Sequence, residues 1–299
     1  KNAHICRINK KVMTHQLEEK IKYSINLIKK SEPLALQYDS ENGIRVAFSG
    51  GKDSMVLLDL VKRANVKYHA EMQLTSVDPP ELMRFVRAQY PDVRLNPPKI
   101  SFWELIKKKK MLPTRLRRYC CQYLKEFAGA GQLTMIGIRR EESIKRSKRM
   151  EVEIKGKKGQ SYDLDQFNRE REREVGCKLG KETILISPIL YWTEKDVWEY
   201  IRENKMPYCE LYDEGDKRIG CIFCPMSGKK NIYKNAERYP KCYNKMLDTI
   251  EYIIKNNDYG IDFIKKYPQI TNKDIFDAWA SSEKYKKYFS QKYDELDLF

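Results

Sequence analysis

The sequence predicts an α/β fold in which a doubly wound, mainly parallel sheet is followed by a helical C-terminal extension. Over the first three quarters of the chain, short β-branched and apolar runs alternate with segments whose apolar residues recur at helical spacing. Such alternation is typical of parallel strands that are joined by helices. From Asn231 onward the pattern is helical and rich in tyrosine, with no strand signal.

The first predicted elements are a helix and two strands. Apolar residues near helical spacing predict an amphipathic helix over residues 12–31. Residues 44–48 are β-branched, apolar or aromatic apart from one arginine, which predicts a buried parallel strand. Residues 67–77 predict a second strand that ends at Asp78, because two prolines follow it and the second opens a helix.

The later elements are marked by capping residues and by short apolar runs. They are a helix at residues 102–110 capped by Ser101, a helix at 122–128, strands at 132–138 and 184–187, and a helix capped by Thr193.

We predict three consecutive parts of the chain. Residues 1–43 form a helical lead-in, residues 44–228 a nucleotide-binding α/β domain, and residues 229–299 a helical C-terminal region. Within the central part, residues 141–182 are nearly all charged or polar and contain several glycines. This composition predicts either a mobile insertion or a small hairpin.

The composition favours anionic partners. Lysine and arginine total 58 against 42 aspartate and glutamate, a formal net charge of +16, which suits a nucleotide and also a nucleic acid. The alternative is that the charge serves solubility alone. No apolar run is long enough to span a membrane and no signal-peptide core is present, so we expect a cytoplasmic protein without a membrane partner. Eight cysteines then favour metal or redox chemistry over disulfides.

The clearest functional signal is the turn at residues 49–54, called the glycine turn below. It joins the strand at 44–48 to a helix that resumes with apolar residues at 55–60. Gly50 and Gly51 allow a ligand to approach the backbone, and the first N–H groups of the helix have no partner within it. Together with the ammonium of Lys52 they predict a phosphate site, whereas the alternative is a plain turn with a solvated lysine. The predicted ligand groups are the backbone or hydroxyl donors of Ser49, Gly50, Gly51 and Ser54, the charge of Lys52, and Asp53, which either fixes the turn or helps to hold Mg²⁺.

Two further groups are expected at the same edge of the sheet. Asp78, at the predicted end of the second strand, is a candidate catalytic residue, although it could equally be a helix N-cap. The strand at 132–138 delivers Gly137, Arg139 and Arg140. Because guanidinium groups bind oxyanions in a bidentate way, we expect the two arginines to bind phosphate or sulfate, the alternative being a solvated charge pair.

Four cysteines form the second candidate site. Cys120 and Cys121 are adjacent, and Cys221 and Cys224 form a C-x-x-C pair. Four thiolates suit a closed site, and the divergent side chains of adjacent cysteines suit an iron–sulfur cluster better than one tetrahedral zinc ion. Zinc, or cysteines that only pack as small apolar residues, are the alternatives.

The motifs resemble those of a known family. The glycine turn, Ser-Gly-Gly-Lys-Asp-Ser, resembles the PP-loop of the ATP pyrophosphatase and phosphoadenylyl-sulfate (PAPS) reductase superfamily, and Val-Asp-Pro-Pro-Glu around Asp78 resembles a second segment of that group. Residues 118–125 resemble the Cys-Cys helix of assimilatory adenylyl-sulfate (APS) reductases, in which Cys-Cys and Cys-x-x-Cys together bind a four-iron cluster. The resemblance covers residues 44–226. It implies a Rossmann-like sheet of the PP-loop type, an adenine nucleotide and a 4Fe-4S cluster.

One feature of that family does not occur in these 299 residues. Its reductases carry a nucleophilic cysteine in a Glu-Cys-Gly-Leu-His segment near the C terminus, and the present sequence has no such segment. Attack on sulfur requires a mobile thiolate, for which Cys177 or Cys242 would have to stand in.

Three functional hypotheses follow. In the first, an adenylyl sulfate binds by its phosphates and a thiolate takes the sulfonate to give sulfite. In the second, ATP and Mg²⁺ bind, the enzyme adenylates an oxygen of a nucleic acid, and sulfur then replaces that oxygen, as in DNA phosphorothioation sulfurtransferases and tRNA thiolases. Either reaction needs a donor of electrons or sulfur, which a partner protein could supply. The third is a catalytically silent nucleotide-binding or nucleic-acid-binding subunit of a defence complex.

Overall fold

The computed structural model describes residues 13–126, 128–154, 161–162, 183–256, 269–281, 288–289 and 292. The strands are β1 (Ile44–Phe48), β2 (Tyr68–Gln73), β3 (Arg94–Asn96), β4 (Leu133–Ile136), β5 (Val152–Ile154), β6 (Ser161–Tyr162) and β7 (Ile184–Ile186). The helices are α1 (His15–Tyr38), α2 (Lys52–Ala64), α3 (Pro80–Gln89), α4 (Phe102–Lys109), α5 (Tyr119–Leu124), α6 (Ile144–Ser147), α7 (Glu194–Glu203), α8 (Lys229–Arg238), α9 (Pro240–Lys255) and α10 (Asn272–Ser281), with short 3₁₀ helices at Arg140–Glu142 and Glu210–Tyr212.

The described strands form one seven-stranded sheet in the order β3-β2-β1-β4-β7-β5-β6. β1 pairs in parallel with both β2 and β4, and β4 pairs in parallel with β7. The chain therefore moves outward from β1 through β2 to β3 and then returns to the other side of β1 as β4. The predicted α/β class with a mainly parallel sheet is confirmed. Ligands of such sheets bind beyond the carboxyl ends of the strands where the order reverses, here between β1 and β4.

The last two strands depart from the parallel pattern. β5 pairs antiparallel with β7 on one side and with β6 on the other. This pairing agrees with the hairpin interpretation of the charged stretch at 141–182. The remainder of that stretch, residues 155–160 and 163–182, lies outside the described residues.

The first helix, predicted over residues 12–31, continues to Tyr38. Two other boundary errors affect candidate site residues. β2 ends at Gln73, so Asp78 lies in the loop that precedes α3 and not at the end of the strand. The α5 helix begins at Tyr119, so the cysteine pair lies inside the helix and not before it. Both errors have the same cause. The residue pattern shows that a strand or helix is present, but its first and last residues depend on tertiary contacts that the pattern does not contain.

The chain packs as two compact units whose segments alternate along the sequence. The first comprises residues 1–72, 84–95 and 129–219, and the second comprises residues 73–83, 96–128 and 220–299. The predicted parts were consecutive segments, with the cysteines assigned to the nucleotide-binding part. In the packed chain the four cysteines share a unit with the C-terminal helices.

Several buried polar groups in the core of the first unit are hydrogen-bonded to other elements of that unit. Ser24 of α1 donates to the carbonyl of Pro188 and accepts from Trp192 Nε1. At the start of α7, Thr193 and Asp196 form a capping box, as the sequence predicted for Thr193. Burial would raise the pKa of Asp196, but hydrogen bonds from Lys20 and from the cap lower it.

The second unit has an aromatic core around α10. The rings of Phe223 and Tyr243 lie 5.9 and 4.9 Å from that of Phe276, both nearly edge-on. Trp279 is buried, and its Nε1 donates to the carbonyl oxygen of Pro113 at 2.7 Å. These contacts join the C-terminal helices to the segment between α4 and α5. Across the described ranges, none of the helices is both long enough and apolar enough to cross a membrane.

Candidate functional sites

The glycine turn connects β1 directly to α2. β1 ends at Phe48 and α2 begins at Lys52, so the turn proper is shorter than predicted. Gly50 has φ +69°, a left-handed conformation that favours glycine. The Ser54 hydroxyl donates to the carbonyl of Gly51 at 2.9 Å and accepts from the Ser49 N–H at 3.2 Å. The two serines therefore brace the turn internally.

Lys52 lies at the centre of this site. Its side chain is only 5% exposed, and its Nζ donates to the carbonyl of Lys217 at 3.0 Å and lies 3.5 Å from Glu194 Oε1. Its backbone N–H, at the start of α2, donates to the Tyr212 hydroxyl at 2.9 Å. The ammonium and the first-turn N–H of α2 thus belong to one residue and each donates to an oxygen, and their role in binding phosphate stays a prediction. Their present partners are oxygen acceptors, the atom type that a phosphate would offer.

Asp53 and Arg139 form an ion pair beside the turn. Arg139 Nε lies 2.5 Å from Asp53 Oδ1, and the arginine side chain is 4% exposed. Burial alone would lower the pKa of Arg139, but the charge of Asp53 and its hydrogen bond raise it, so the guanidinium remains charged. Asp53 fixes the start of α2 through this pair. Its predicted alternative role in holding Mg²⁺ stays a prediction.

The predicted arginine pair is divided between two environments. Arg139 faces the glycine turn, whereas Arg140 donates from Nε and Nη2 to the carbonyl of Arg149 at 3.1 and 3.0 Å. The Arg140 guanidinium also lies 4.8 Å from the centre of the Tyr191 ring. Consecutive residues in an extended segment point to opposite sides, which accounts for the division. A role for Arg140 in binding phosphate stays a prediction.

Gly137 brings the end of β4 against the first turn of α2. A Cβ at this position would lie 2.9 Å from the carbonyl oxygen of Asp53 and 3.1 Å from the Cα of Ser54. The sequence placed Gly137 among the ligand-binding residues. The structure gives it a definite contact with the helix start that carries Lys52.

Three residues near the turn were not predicted from the sequence: Glu194, Tyr212 and Lys217. Tyr212 is separated from Lys52 by 160 residues and lies in a short 3₁₀ helix. Burial raises the pKa of Tyr212, so the hydroxyl remains protonated at neutral pH. Its ring packs edge-on against Trp198 at 5.1 Å. The only sequence signal was a local excess of aromatic residues, which does not specify a contact.

The four candidate cysteines come together in the second unit. Cys120 and Cys121 lie on α5, while Cys221 and Cys224 flank two fully buried residues, Ile222 and Phe223, that anchor their loop. Mutual electrostatic interactions connect Cys120 with Cys221, and Cys224 with both Cys121 and Cys221. Two motifs a hundred residues apart therefore form one group of thiols, which we call the cysteine site.

Polar groups surround the cysteine site. A hydrogen bond from Cys120 lowers the pKa of Cys121, and the charges of Lys125 and Arg118 act in the same direction. Burial would lower the pKa of Lys125, but Cys221 and Asp78 raise it, so its ammonium remains charged.

Asp78 belongs to these surroundings and is not a helix cap. Its carboxylate accepts from the N–H and the hydroxyl of Thr75 at 2.6 and 2.8 Å. Thr75 Oγ1 in turn lies 3.5 Å from Cys221 Sγ. Asp78 thus holds the loop that contacts the cysteines. Its predicted catalytic role stays a prediction. The structure places Asp78 near the cysteine site, through Thr75.

The donor set fits a thiolate-bound inorganic group. Within the residues that the structure describes, no three histidine, cysteine or acidic side chains are grouped closely enough to hold one metal ion directly. The four thiols nevertheless act on one another electrostatically. Four thiolates are the ligand set of iron–sulfur clusters and of Cys₄ zinc sites. Of the predicted substitute nucleophiles, Cys177 lies outside the described residues, and burial raises the pKa of Cys242.

Comparison with known proteins gives matches over most of the chain. The family model "Phosphoadenosine phosphosulfate reductase domain" matches residues 43–227. An uncharacterized protein of Methanocaldococcus jannaschii is 30% identical over 248 residues, which cover 79% of this chain and 54% of that protein. The chain spans about half the length of this relative, and 44% of a second one from the same organism.

Reductases are also among the similar proteins. An adenosine 5'-phosphosulfate reductase of Oceanobacillus iheyensis is 30% identical over 205 residues, or 64% of this chain and 75% of that protein. Among solved structures, the phosphate complex of the PAPS reductase from Candida auris gives a TM-score of 0.44 at 19% identity and covers 70% of this chain and 96% of that one.

Proposed function

The chain belongs to the phosphoadenosine phosphosulfate reductase domain family, and from that premise we propose that it is an enzyme of sulfur metabolism. In this proposal an adenine nucleotide, either ATP or an adenylyl sulfate, binds at the glycine turn, and the cysteine site holds an iron–sulfur cluster. The observation that carries the proposal is that Lys52, the first residue of α2 beyond β1, has a backbone N–H and a buried ammonium that each donate to an oxygen acceptor.

The groups at the glycine turn are suited to phosphate. The Lys52 side chain is buried with its Nζ 3.9 Å from Asp53 Oδ2, and the Asp53–Arg139 pair holds the adjacent helix start. A phosphate that replaced the Tyr212 hydroxyl and the Lys217 carbonyl would accept from the same two donors. The helix dipole and the Lys52 ammonium favour an anion there, whereas the Glu194 carboxylate, 3.5 Å from Nζ, opposes it.

Substitution of Lys52 tests the nucleotide site. We expect Lys52→Ala to lower the affinity for ATP and for adenylyl sulfate at least tenfold in titration calorimetry, because a charged hydrogen bond of about 1.5–3 kcal/mol is lost. Lys62→Ala, an exposed lysine in the last turn of the same helix, is the matched control. Circular dichroism checks that both variants remain folded. Nucleotide affinity that Lys52→Ala leaves unchanged would refute the site.

The cysteine site supports the second half of the proposal. Cys120, Cys121, Cys221 and Cys224 are the residues that would hold a 4Fe-4S cluster. When bound there, such a cluster supplies a redox-active or sulfur-handling centre. The charged ammonium of Lys125 would offset part of the negative charge of four thiolates.

Anaerobic metal analysis tests this assignment. We expect iron and acid-labile sulfide in the purified protein, with a brown colour, and loss of both in Cys121→Ser. Cys242→Ser, on α9, is the matched control and should retain them. A colourless protein that contains zinc would overturn the iron–sulfur assignment while leaving a metal site in place.

A second candidate reaction is the thiolation of a nucleic acid. The net charge of +16 favours it. The two reactions differ in their products. Reduction of an adenylyl sulfate consumes two electrons and releases sulfite and a nucleoside monophosphate, whereas adenylation by ATP releases pyrophosphate. Measuring both products with each nucleotide separates the reactions, and sulfite without pyrophosphate would exclude thiolation.

A further inference from the structure

A strongly basic segment crosses the surface of the second unit. Seven of the twelve residues 107–118 are lysine or arginine, and none is acidic. The segment begins in the last turn of α4 and continues as the loop that leads to α5. Lys108, Lys110, Arg115, Arg117 and Arg118 are all exposed.

The loop is held at its base and open at its tip. Leu112 is buried, and the Pro113 carbonyl accepts from the buried Trp279. A turn follows in which the Arg117 N–H donates to Thr114 Oγ1 at 3.0 Å. At its tip the Leu116 side chain is 96% exposed. A large apolar side chain is thus presented to solvent on an ordered turn, with an arginine on either side.

An aromatic ring lies beside the same segment. Tyr123 on α5 is 46% exposed, and Lys109 Nζ lies 4.4 Å above the centre of its ring and 3.0 Å from its hydroxyl. The lysine orients the ring and leaves much of it accessible. Cations interleaved with exposed aromatic or apolar groups are the arrangement that proteins use to bind single-stranded nucleic acid.

The basic segment also borders the cysteine site within the same unit. Arg115 Nε donates to the carbonyl of Pro225, the residue after Cys224, at 3.2 Å. Arg118 directly precedes α5, which carries the cysteine pair. A polyanion that bound along this segment would therefore pass next to the cysteines.

We propose that residues 107–118 and Tyr123, called the basic loop surface, bind single-stranded nucleic acid. The lysines and arginines contact the phosphodiester backbone, and unpaired bases stack on Tyr123 and pack against Leu116. A single nucleotide would not span so extended a run of charge, and a duplex would not offer its bases to the ring. The proposal gives the second candidate reaction its acceptor and its binding surface, and rests on the proposed function only for that link.

Fluorescence anisotropy with a labelled 20-nucleotide single strand, as RNA and as DNA, tests the proposal without any nucleotide cofactor. We expect Lys108→Glu combined with Arg117→Glu to lower the affinity at least tenfold and to reduce the slope of log K against log salt by about one to two. The matched control, Lys22→Glu combined with Lys29→Glu on exposed positions of α1, changes the net charge equally and should lose no more than about threefold. An equal loss in both double variants would overturn the proposal, because binding would then depend on overall charge.

Two further measurements address the stacking. Tyr123→Ala should weaken single-strand binding about tenfold while Tyr123→Phe restores it, and neither should change binding of the matching duplex. Tighter binding of the duplex, or of an acidic peptide of equal charge, would overturn the assignment of the partner. Since no cofactor is added, failure here leaves nucleotide binding at Lys52 as a separate question.

Discussion

Replacing Gly137 by alanine tests how closely the end of β4 packs on the start of α2. The added Cβ would lie 2.9 Å from the Asp53 carbonyl oxygen, 3.0 Å from its carbon and 3.1 Å from the Ser54 Cα. Unstrained carbon contacts lie near 3.5–4.0 Å, and all three neighbours are backbone atoms that no side-chain rotation can move. The first turn of α2 must therefore shift by several tenths of an ångström.

The expected cost follows from two opposing effects. Overpacking of this kind destabilises by about 1–3 kcal/mol. Alanine also restricts the unfolded chain, which returns about 0.4–1 kcal/mol. We expect a net loss of roughly 1–2 kcal/mol, or a fall in Tm of about 2–3 °C for a chain of 299 residues. Because the shift moves the N–H and the ammonium of Lys52, nucleotide affinity should fall as well.

Thermal unfolding followed by circular dichroism measures the stability, and titration calorimetry with ATP measures binding. The control is Gly220→Ala, where a Cβ would meet nothing within 4 Å and the backbone is not left-handed. It should be neutral or slightly stabilising. If Gly137→Ala melts like the wild type and binds ATP equally well, the close approach of β4 to α2 is not as described.

Three other substitutions test single contacts. Tyr212→Phe removes the acceptor of the Lys52 N–H, so we expect about 1 kcal/mol lower stability without ligand and about two- to tenfold tighter binding of phosphate by calorimetry; weaker binding would contradict competition by the hydroxyl. The pKa of Asp196 is lower in the folded state than in the unfolded state, so its carboxylate stabilises the fold at pH values above the unfolded pKa of about 4. This stabilisation is lost as the pH falls through the pKa of the folded state. Asp196→Asn should therefore be less stable at pH 7 and show a flatter loss between pH 5 and 2 in urea unfolding, and a wild-type profile would argue against this role. Trp279→Phe leaves the Pro113 carbonyl without its buried donor and should cost about 1–3 kcal/mol in thermal unfolding, whereas an unchanged Tm would show that the bond contributes nothing.

Local patterns in the sequence were sufficient for much of the fold. The strand–turn–helix unit at the glycine turn was predicted because glycine, β-branched and amphipathic signals are all confined to a few neighbouring residues. The cap at Thr193 was predictable for the same reason. The boundaries of β2 and α5 were not, because strand and helix ends depend on which distant residues pack against them.

For the candidate sites too, the sequence identified residues but not the contacts between distant ones. The sequence supplied Lys52 and the four cysteines as candidates, since their residue types and spacings already limit the chemistry that they can perform. It did not associate Asp78 with the cysteines, although a chain of contacts through Thr75 connects it to Cys221.

By itself, the amino-acid sequence determined the α/β class, the glycine turn between β1 and α2, and the two cysteine motifs, because each depends on residues that are close neighbours in the chain. Only the tertiary structure decided that Tyr212 accepts from Lys52, and that Arg139 contacts Asp53 whereas Arg140 contacts the carbonyl of Arg149. The Lys52–Tyr212 and Asp53–Arg139 contacts join residues that lie 160 and 86 positions apart, and the partner of each arginine depends on which elements pack on its side. Neither property is encoded in a local pattern of residue types.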